Sequence, residues 1–248
     1  MSQVHEMLAI LQSEQKNWSR SLVNTRSLLN QKNVNAFMGT KQTFVSVDSD
    51  KDDIVLSDTV PQYNAKVLIG NMLKAATNLI DVFSSIDKTN CNGSKACADV
   101  IVGEKVLIKE VSVITILKMI DIVEEIFKFI DQVPVLDTSR IFTYDPNGQF
   151  HTIESEKLKY EMISYHRVVH EYKDGKHPVE IRQEEEKVLD GRTQKIERCS
   201  LITMKEKRDM LAKIKSILDA LKQAKARANQ AETLHTKFGD ELLGDLLV

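Results

Sequence analysis

Tyr144-Asp145-Pro146-Asn147-Gly148-Gln149 is the sharpest local signal in the chain. Pro146 pre-sets the first turn angle, and Gly148 is expected in the left-handed position that closes a type I turn with a bulge. Residues 141–144 and 149–153 are then the strands of a hairpin. Further strands are expected at 159–172, 179–187 and 194–202, punctuated by Asp174-Gly175 and Asp190-Gly191. They alternate polar and apolar and carry many charges, which predicts an antiparallel sheet with one wet face.

Upstream of that sheet the pattern has two periods. Val100, Ile101 and Val102, then Gly103-Glu104, then Val106, Leu107 and Ile108 read as a second hairpin. Residues 112–133 follow as a helix dense in Ile and Val, stopped by Pro134. Towards the N-terminus, Val4, Met7, Leu8, Leu11, Trp18, Leu22, Leu29 and Phe37 predict one helix over 3–38, ended by Gly39. Residues 40–60 hold five Asp against one Lys between 48 and 58 and read as a loop, or as a weak edge strand at 43–47. Pro61 is expected at the first position of another helix, carried to about Ile86 by Val67, Leu68, Met72, Leu73, Ala76, Leu79, Ile80 and Phe83. The polar run from Lys88 to Ser94 is the expected domain boundary.

Downstream, Thr203-Met204-Lys205-Glu206 is a capping box that opens the last helix, expected over 203–238. Met210, Ile214, Ile217, Leu221, Ala224, Ala228, Ala231 and His235 form one stripe along it, suited to a partner helix. The fold class expected is therefore α+β. Mostly helical residues 1–88 lead into an α+β region over 89–239, with antiparallel strands packed on two long helices, 112–133 and 203–238. Residues 240–248 form a tail.

Composition narrows the function classes. Apolar residues make up 42% of the 248 and charged residues 28%, so the chain is not of disordered composition. Lys plus Arg number 34 and Asp plus Glu 36, a net −2, which argues against a surface devoted wholly to nucleic acid. Three cysteines, Cys91, Cys97 and Cys199, are too few for a disulfide framework and fit free thiols in a reducing cytoplasm. No secretory leader or lipidation signal is read at the termini. The most apolar stretch, 106–133, contains eight charged residues, so no membrane association is expected.

The chemistry-bearing motifs are sparse. The 9 glycines fall in no phosphate-binding run, and no G-x-S-x-G elbow is present. No cofactor or metal is expected. Cys91 and Cys97 lack a second ligand pair. His166 and His170, four apart on a strand, are about 13 Å from each other, too far to share one ion. Glu184-Glu185-Glu186 alternate between faces and cannot pair across one substrate. Asp99 at a strand start is expected to cap a turn rather than to face a pocket.

The last helix carries the one charge asymmetry: nine Lys or Arg against four acids between 203 and 238, a net +5. Lys215, Lys222, Lys225, Arg227 and Asn229 are the candidate ligand-binding residues there, for an anionic small molecule, a nucleotide signal or RNA. Few aromatics accompany them, which weakens the nucleic-acid version.

Several of these motifs, taken in order over about 88–232, resemble an uncharacterised family of bacterial and phage proteins, a domain of unknown function. They are Ala98-Asp99-Val100-Ile101-Val102-Gly103, Val133-Pro134-Val135-Leu136-Asp137, the hairpin from Phe142 to Phe150, and Leu221-Lys222-Gln223-Ala224-Lys225-Ala226-Arg227-Ala228-Asn229. The short N-terminal helix with Val4-His5-Glu6-Met7-Leu8-Ala9 is similar too. Where the family carries an Arg-Thr-Lys-Lys run, Lys157-Leu158-Lys159-Tyr160-Glu161 stands here. The resemblance implies a bacterial or phage source and brings no activity or cofactor.

The function expected first is a non-catalytic binding or assembly protein, using helix–helix packing to form a homo-oligomer or to bind a protein partner. An anionic-ligand binder using the basic helix comes second. An enzyme using Asp99, His166 or His170 comes third.

Overall fold

The computed structural model describes residues 4–48, 50–90, 96–170 and 180–230. The chain forms two units: Met1–Leu28, Ile69–Val133 and Met204–Val248 make one, and Leu29–Leu68 with Pro134–Thr203 make the other. The first 88 residues thus contribute to both. Helices and antiparallel sheets together make the protein α+β.

The first unit is helical with one hairpin. α1 (Val4–Leu28) and most of α2 (Ala65–Asn90) belong to it. β3 (Cys97–Val102) and β4 (Lys105–Ser112) turn at Gly103, whose φ of 61° is the left-handed geometry that a tight hairpin requires. α3 (Val113–Gln132) starts at once, because the Ser112 hydroxyl accepts the Thr115 amide as an N-cap. Asp87 is buried and accepts hydrogen bonds from the hydroxyls of both Ser112 and Thr115. This ties the end of α2 to the start of α3. The Trp18 indole N–H donates to Glu125 at 3.2 Å and fastens α1 to α3.

α4 (Met204–Ala228) closes this unit. It begins where the capping box predicts. Residues from 231 onward, with the expected Ala231–His235 part of the stripe and the 240–248 tail, lie outside the described residues. Lys207 donates to the carbonyls of Asp131 and Val133 at 2.6 and 3.0 Å, satisfying the end of α3. Leu221, Ala224 and Ala228 pack into a core with Ile116, Met119 and Ile120 of α3 and with Val100 of β3. Of the strands, it is this β3–β4 hairpin that packs with the two long helices.

The second unit is built on a sheet of order β2-β1-β7-β6-β5. Its strands are β1 (Met38–Ser46), β2 (Ile54–Asp58), β5 (Thr143–Asp145), β6 (Phe150–His170) and β7 (Glu180–Cys199). All neighbouring pairs are antiparallel. Ser200 gathers its interior end. Its amide donates to Phe37 O at 2.9 Å, its hydroxyl to the Tyr63 carbonyl, and its carbonyl accepts the Ala65 amide at 3.1 Å. Phe37, Ala65, Cys199, Leu201 and Ile202 are buried around it.

Several expectations change. The helix expected over 3–38 ends at Leu28, and a 3-10 helix, Gln31–Phe37, follows after Asn30 caps the Lys32 amide. Leu29 and Phe37 kept the helical spacing because both are buried, but in the second unit. Gly39 and residues 43–46 of the expected 43–47 segment lie in β1, an interior strand of the sheet rather than a loop or edge, and Val47 follows its end. The second helix begins at Ala65 and not at Pro61, because the Asn64 side chain accepts the amides of Lys66 and Val67.

In the Pro146 turn, the left-handed residue is Gln149 at φ 54°, not Gly148. The Asp145 carboxylate takes the Asn147 amide at 3.0 Å and lengthens the loop by a residue. Asp190-Gly191 is no turn either. Register passes from Lys159 opposite Gly191 to Tyr160 opposite Leu189, so Asp190 is the extra residue of a bulge inside one continuous strand. Asp174-Gly175 lies outside the described residues.

A Cβ on Gly191 would sit 2.4 Å from Val45 O and 2.6 Å from the Phe44 ring. Gly191→Ala is therefore expected to destabilise by about 1–3 kcal/mol. Gly70→Ala, in open space on α2, is expected to stabilise by about 0.5–1 kcal/mol. Thermal unfolding followed by circular dichroism checks the opposite signs.

Candidate functional site: a two-stranded arm

β6 and β7 outrun the rest of their sheet. β5 pairs with β6 only as far as Thr152, and β1 leaves β7 at Gly191. Beyond those points, among the described residues, the two strands pair only with each other, from Tyr160 opposite Leu189 to His170 opposite Glu180. The extension is about 30 Å long at the usual rise per residue.

Ion pairs line the five-stranded part of the sheet: Arg140 and Lys195 reach Glu197 at 2.7 and 2.8 Å, and Arg198 reaches Asp58 at 2.6 Å. At the root of the arm, Lys159 reaches Asp190 at 3.0 Å. Hydrogen bonds from Arg140, then from Lys195, hold the Glu197 carboxyl below its ordinary range, outweighing its partial burial.

Further out, the arm is exposed on both faces. Met162 is 56% exposed, Val168 55%, Ile181 55% and Ile163 48%. Side chains alternate along a strand, so Met162 and Ile163 point to opposite sides. The expected single wet face is thus two open faces, each with apolar side chains. A few cross-strand contacts stiffen the ribbon. Tyr165 donates its hydroxyl to Glu184 at 3.3 Å, Arg167 approaches Glu184 at 3.6 Å, and Lys187 lies over the Tyr160 ring at 4.6 Å. A hollow of about 300 Å³ at the root is lined by Val47, Asp48, Lys51, Glu161, Ile163 and Leu189, among others. Asp48 there is already paired with Lys51.

The residues singled out from sequence are placed differently. Lys215 is exposed on α4. Lys222 forms an ion pair with Glu124 of α3 at 3.2 Å. Lys225 is half-buried, and its carbonyl accepts the Asn229 amide at 3.0 Å. The Arg227 guanidinium donates to Asp99 O at 2.8 Å. Two of these cations therefore serve the protein's own packing.

Asp99, expected to cap a turn, lies inside β3 instead, and its carboxylate takes the Glu110 amide at 2.8 Å across a bulge where Glu110 has φ 51°. His166 is exposed on the arm opposite Gln183, and His170 stands opposite Glu180. Cys199 is buried, which pushes its thiol up and away from thiolate chemistry, and Cys97 is half-buried. Cys91 lies outside the described residues. Among the described residues no group of three or more His, Cys, Asp or Glu could hold a metal ion. No described helix is long and apolar enough to cross a membrane.

The apolar residues of the arm were absent from the candidates read in the sequence. Their signal was present in the adjacent pairs Met162-Ile163 and Val168-Val169, which place apolar groups on both sides of one strand.

Fold and arm together define an α+β protein with a projecting β-ribbon. The chain belongs to a family of unknown function (DUF7873), whose model matches residues 1–248. No curated protein and no solved structure matches it.

Two measurements check the electrostatic assignments. The depressed Glu197 carboxyl contributes stability that is fully present above its unfolded value, near 4.5, and is lost as pH falls through its lower folded value. Glu197→Gln should therefore show a shallower loss of thermal midpoint below about pH 4.5 than the wild type. Asp99→Ala leaves the Glu110 amide without its acceptor and should destabilise by about 1–2 kcal/mol, whereas Lys215→Ala should stay within about 0.5 kcal/mol in urea unfolding.

Proposed function

We propose that this protein is a non-catalytic assembly protein that self-associates through the arm of β6 and β7. A bacterial or phage source and a cytoplasmic setting complete the proposal. The first rests on the motif resemblance, and the second on cysteines without a disulfide framework.

One observation carries the reading. The arm exposes apolar side chains on both faces beyond the point where β1 and β5 stop. A lone two-stranded ribbon is marginal in water, and three or more strands or a packed face are needed for independent stability. Among the described residues, ten large apolar side chains between Leu158 and Leu189 are at least 39% exposed. Burying part of that surface, at about 25 cal/mol per Å² of apolar area, counts towards the ~4–15 kcal/mol lost in association.

The helix stripe first expected to mediate association is used inside the first unit, where Leu221, Ala224 and Ala228 are buried. The anionic-ligand reading is weakened in the same way. It would require Lys222 and Arg227 to leave Glu124 and the Asp99 carbonyl.

Light scattering over a concentration series tests the proposal. The wild type should give the mass of two or more chains. Met162→Ser combined with Val168→Ser should shift it at least tenfold in concentration towards one chain, with the thermal midpoint of the monomer unchanged. A wild type that stays a single chain at every concentration would falsify the reading.

A further inference from the structure

The arm has two edges that no described strand covers, and they differ in chemistry. The outer edge of β7 carries Glu184-Glu185-Glu186. Antiparallel pairing of that run with its own copy about Glu185 would set Glu184 opposite Glu186. Like charges directly opposite are destabilising, and charge of this kind is a common guard on an edge strand.

The outer edge of β6 is not guarded in that way. β5 covers it only as far as Thr152. The β6–β7 register breaks between Lys159 and Tyr160 and again between Val168 and His170. Between those irregularities lies an unbroken run, residues 160–168, with Ser164 at its centre.

Two copies of one strand related by a two-fold axis normal to the sheet pair antiparallel. Such an axis keeps each face on its own side, so opposite residues share a face. Centred on Ser164, Glu161 of each copy lies opposite Arg167 of the other. Ile163 then meets Tyr165, Tyr160 meets Val168, and Met162 meets His166. Both charged residues of the run find the opposite sign. Two of the remaining pairs are aromatic with β-branched, a favoured cross-strand combination.

Moving the centre to Ile163 sets Lys159 opposite Arg167. Moving it to Tyr165 sets Glu161 opposite Val169 and Arg167 opposite Ile163. Neither shift pairs the charges. Arg167 is 68% exposed and only 3.6 Å from Glu184 within its own chain, so its fork has donors left for Glu161 of the second copy.

We infer that a second copy of this chain adds to the outer edge of β6 in antiparallel register, with the two-fold axis at Ser164. The order becomes β7-β6-β6-β7, one continuous four-stranded sheet, which supplies the strands that the isolated ribbon lacks. The inference rests on the self-association proposed above and names its geometry.

Cysteine cross-linking tests it. Opposite residues of an antiparallel pair have Cα atoms about 4.5–5.5 Å apart, within the span of a disulfide. The full chain carrying Ser164→Cys, with Cys91→Ser and Cys97→Ser, should form a disulfide-linked dimer in a mild glutathione buffer. Glu185→Cys in the same background should not. Glu161→Arg should weaken association about tenfold or more, and adding Arg167→Glu should restore it. If the wild type associates but Ser164→Cys gives no linked dimer and the double charge exchange restores nothing, the register is wrong and self-association stands. If the wild type is a single chain throughout, both proposals fall.

Discussion

The backbone ladder between β6 and β7 is the constraint on which the second unit depends. It runs from His151 opposite Cys199 to His170 opposite Glu180. Its inner half is the middle of a five-stranded sheet, and its outer half is the arm. The division falls at the Asp190 bulge. There β1 ends against Gly191, and the absence of a Cβ lets Phe44 and Val45 come close. A bulge increases local twist and re-aims a strand. One extra residue therefore marks where the flanking strands leave and where the ribbon continues alone.

The first unit depends on small residues in the same way that the second depends on the bulge. Ala220, Ala224 and Ala228 bring α4 close to α3 and β3, and the hydrogen bonds of Asp99, Glu110 and Arg227 lock the helix end to the hairpin. Such a stripe has the look of an interface between chains when read as a pattern. Packed, its part from Ile217 to Ala228 belongs to the interior of one chain. The positive charge beside it follows: Lys207 satisfies the end of α3 and Lys222 neutralises Glu124. Groups spent on caps and internal pairs have little left for a foreign anion.

Local signals were legible wherever one residue's own geometry settles the matter. Gly103 with its φ of 61°, Pro134 after α3 and the start of α4 at Met204 are of this kind. The α+β class followed from them. Less legible was anything that two distant segments decide together. Gly191 resembles a turn residue until β1 is known to lie against it. Leu29 and Phe37 resemble helix positions until their burial is traced to another unit. The Pro146 loop went astray by one residue because the Asp145 carboxylate, not the glycine, shapes it. The arm was missed as a site for a related reason: each strand was visible, but the end of β1 and β5 short of its tip was not.

The opening balance of charge also takes on a spatial meaning. A net −2 conceals an acidic β7 edge and a β6 edge whose Glu161 and Arg167 sit three residues either side of Ser164. An exposed apolar ribbon with two open edges would be a template for indefinite strand addition. With one edge guarded by three glutamates, addition is restricted to the other. A two-fold contact uses the same edge of both copies and leaves nothing of its kind exposed. In the proposed pairing, assembly therefore stops at a closed pair, and the glutamates that bear no mechanism in a single chain set that limit.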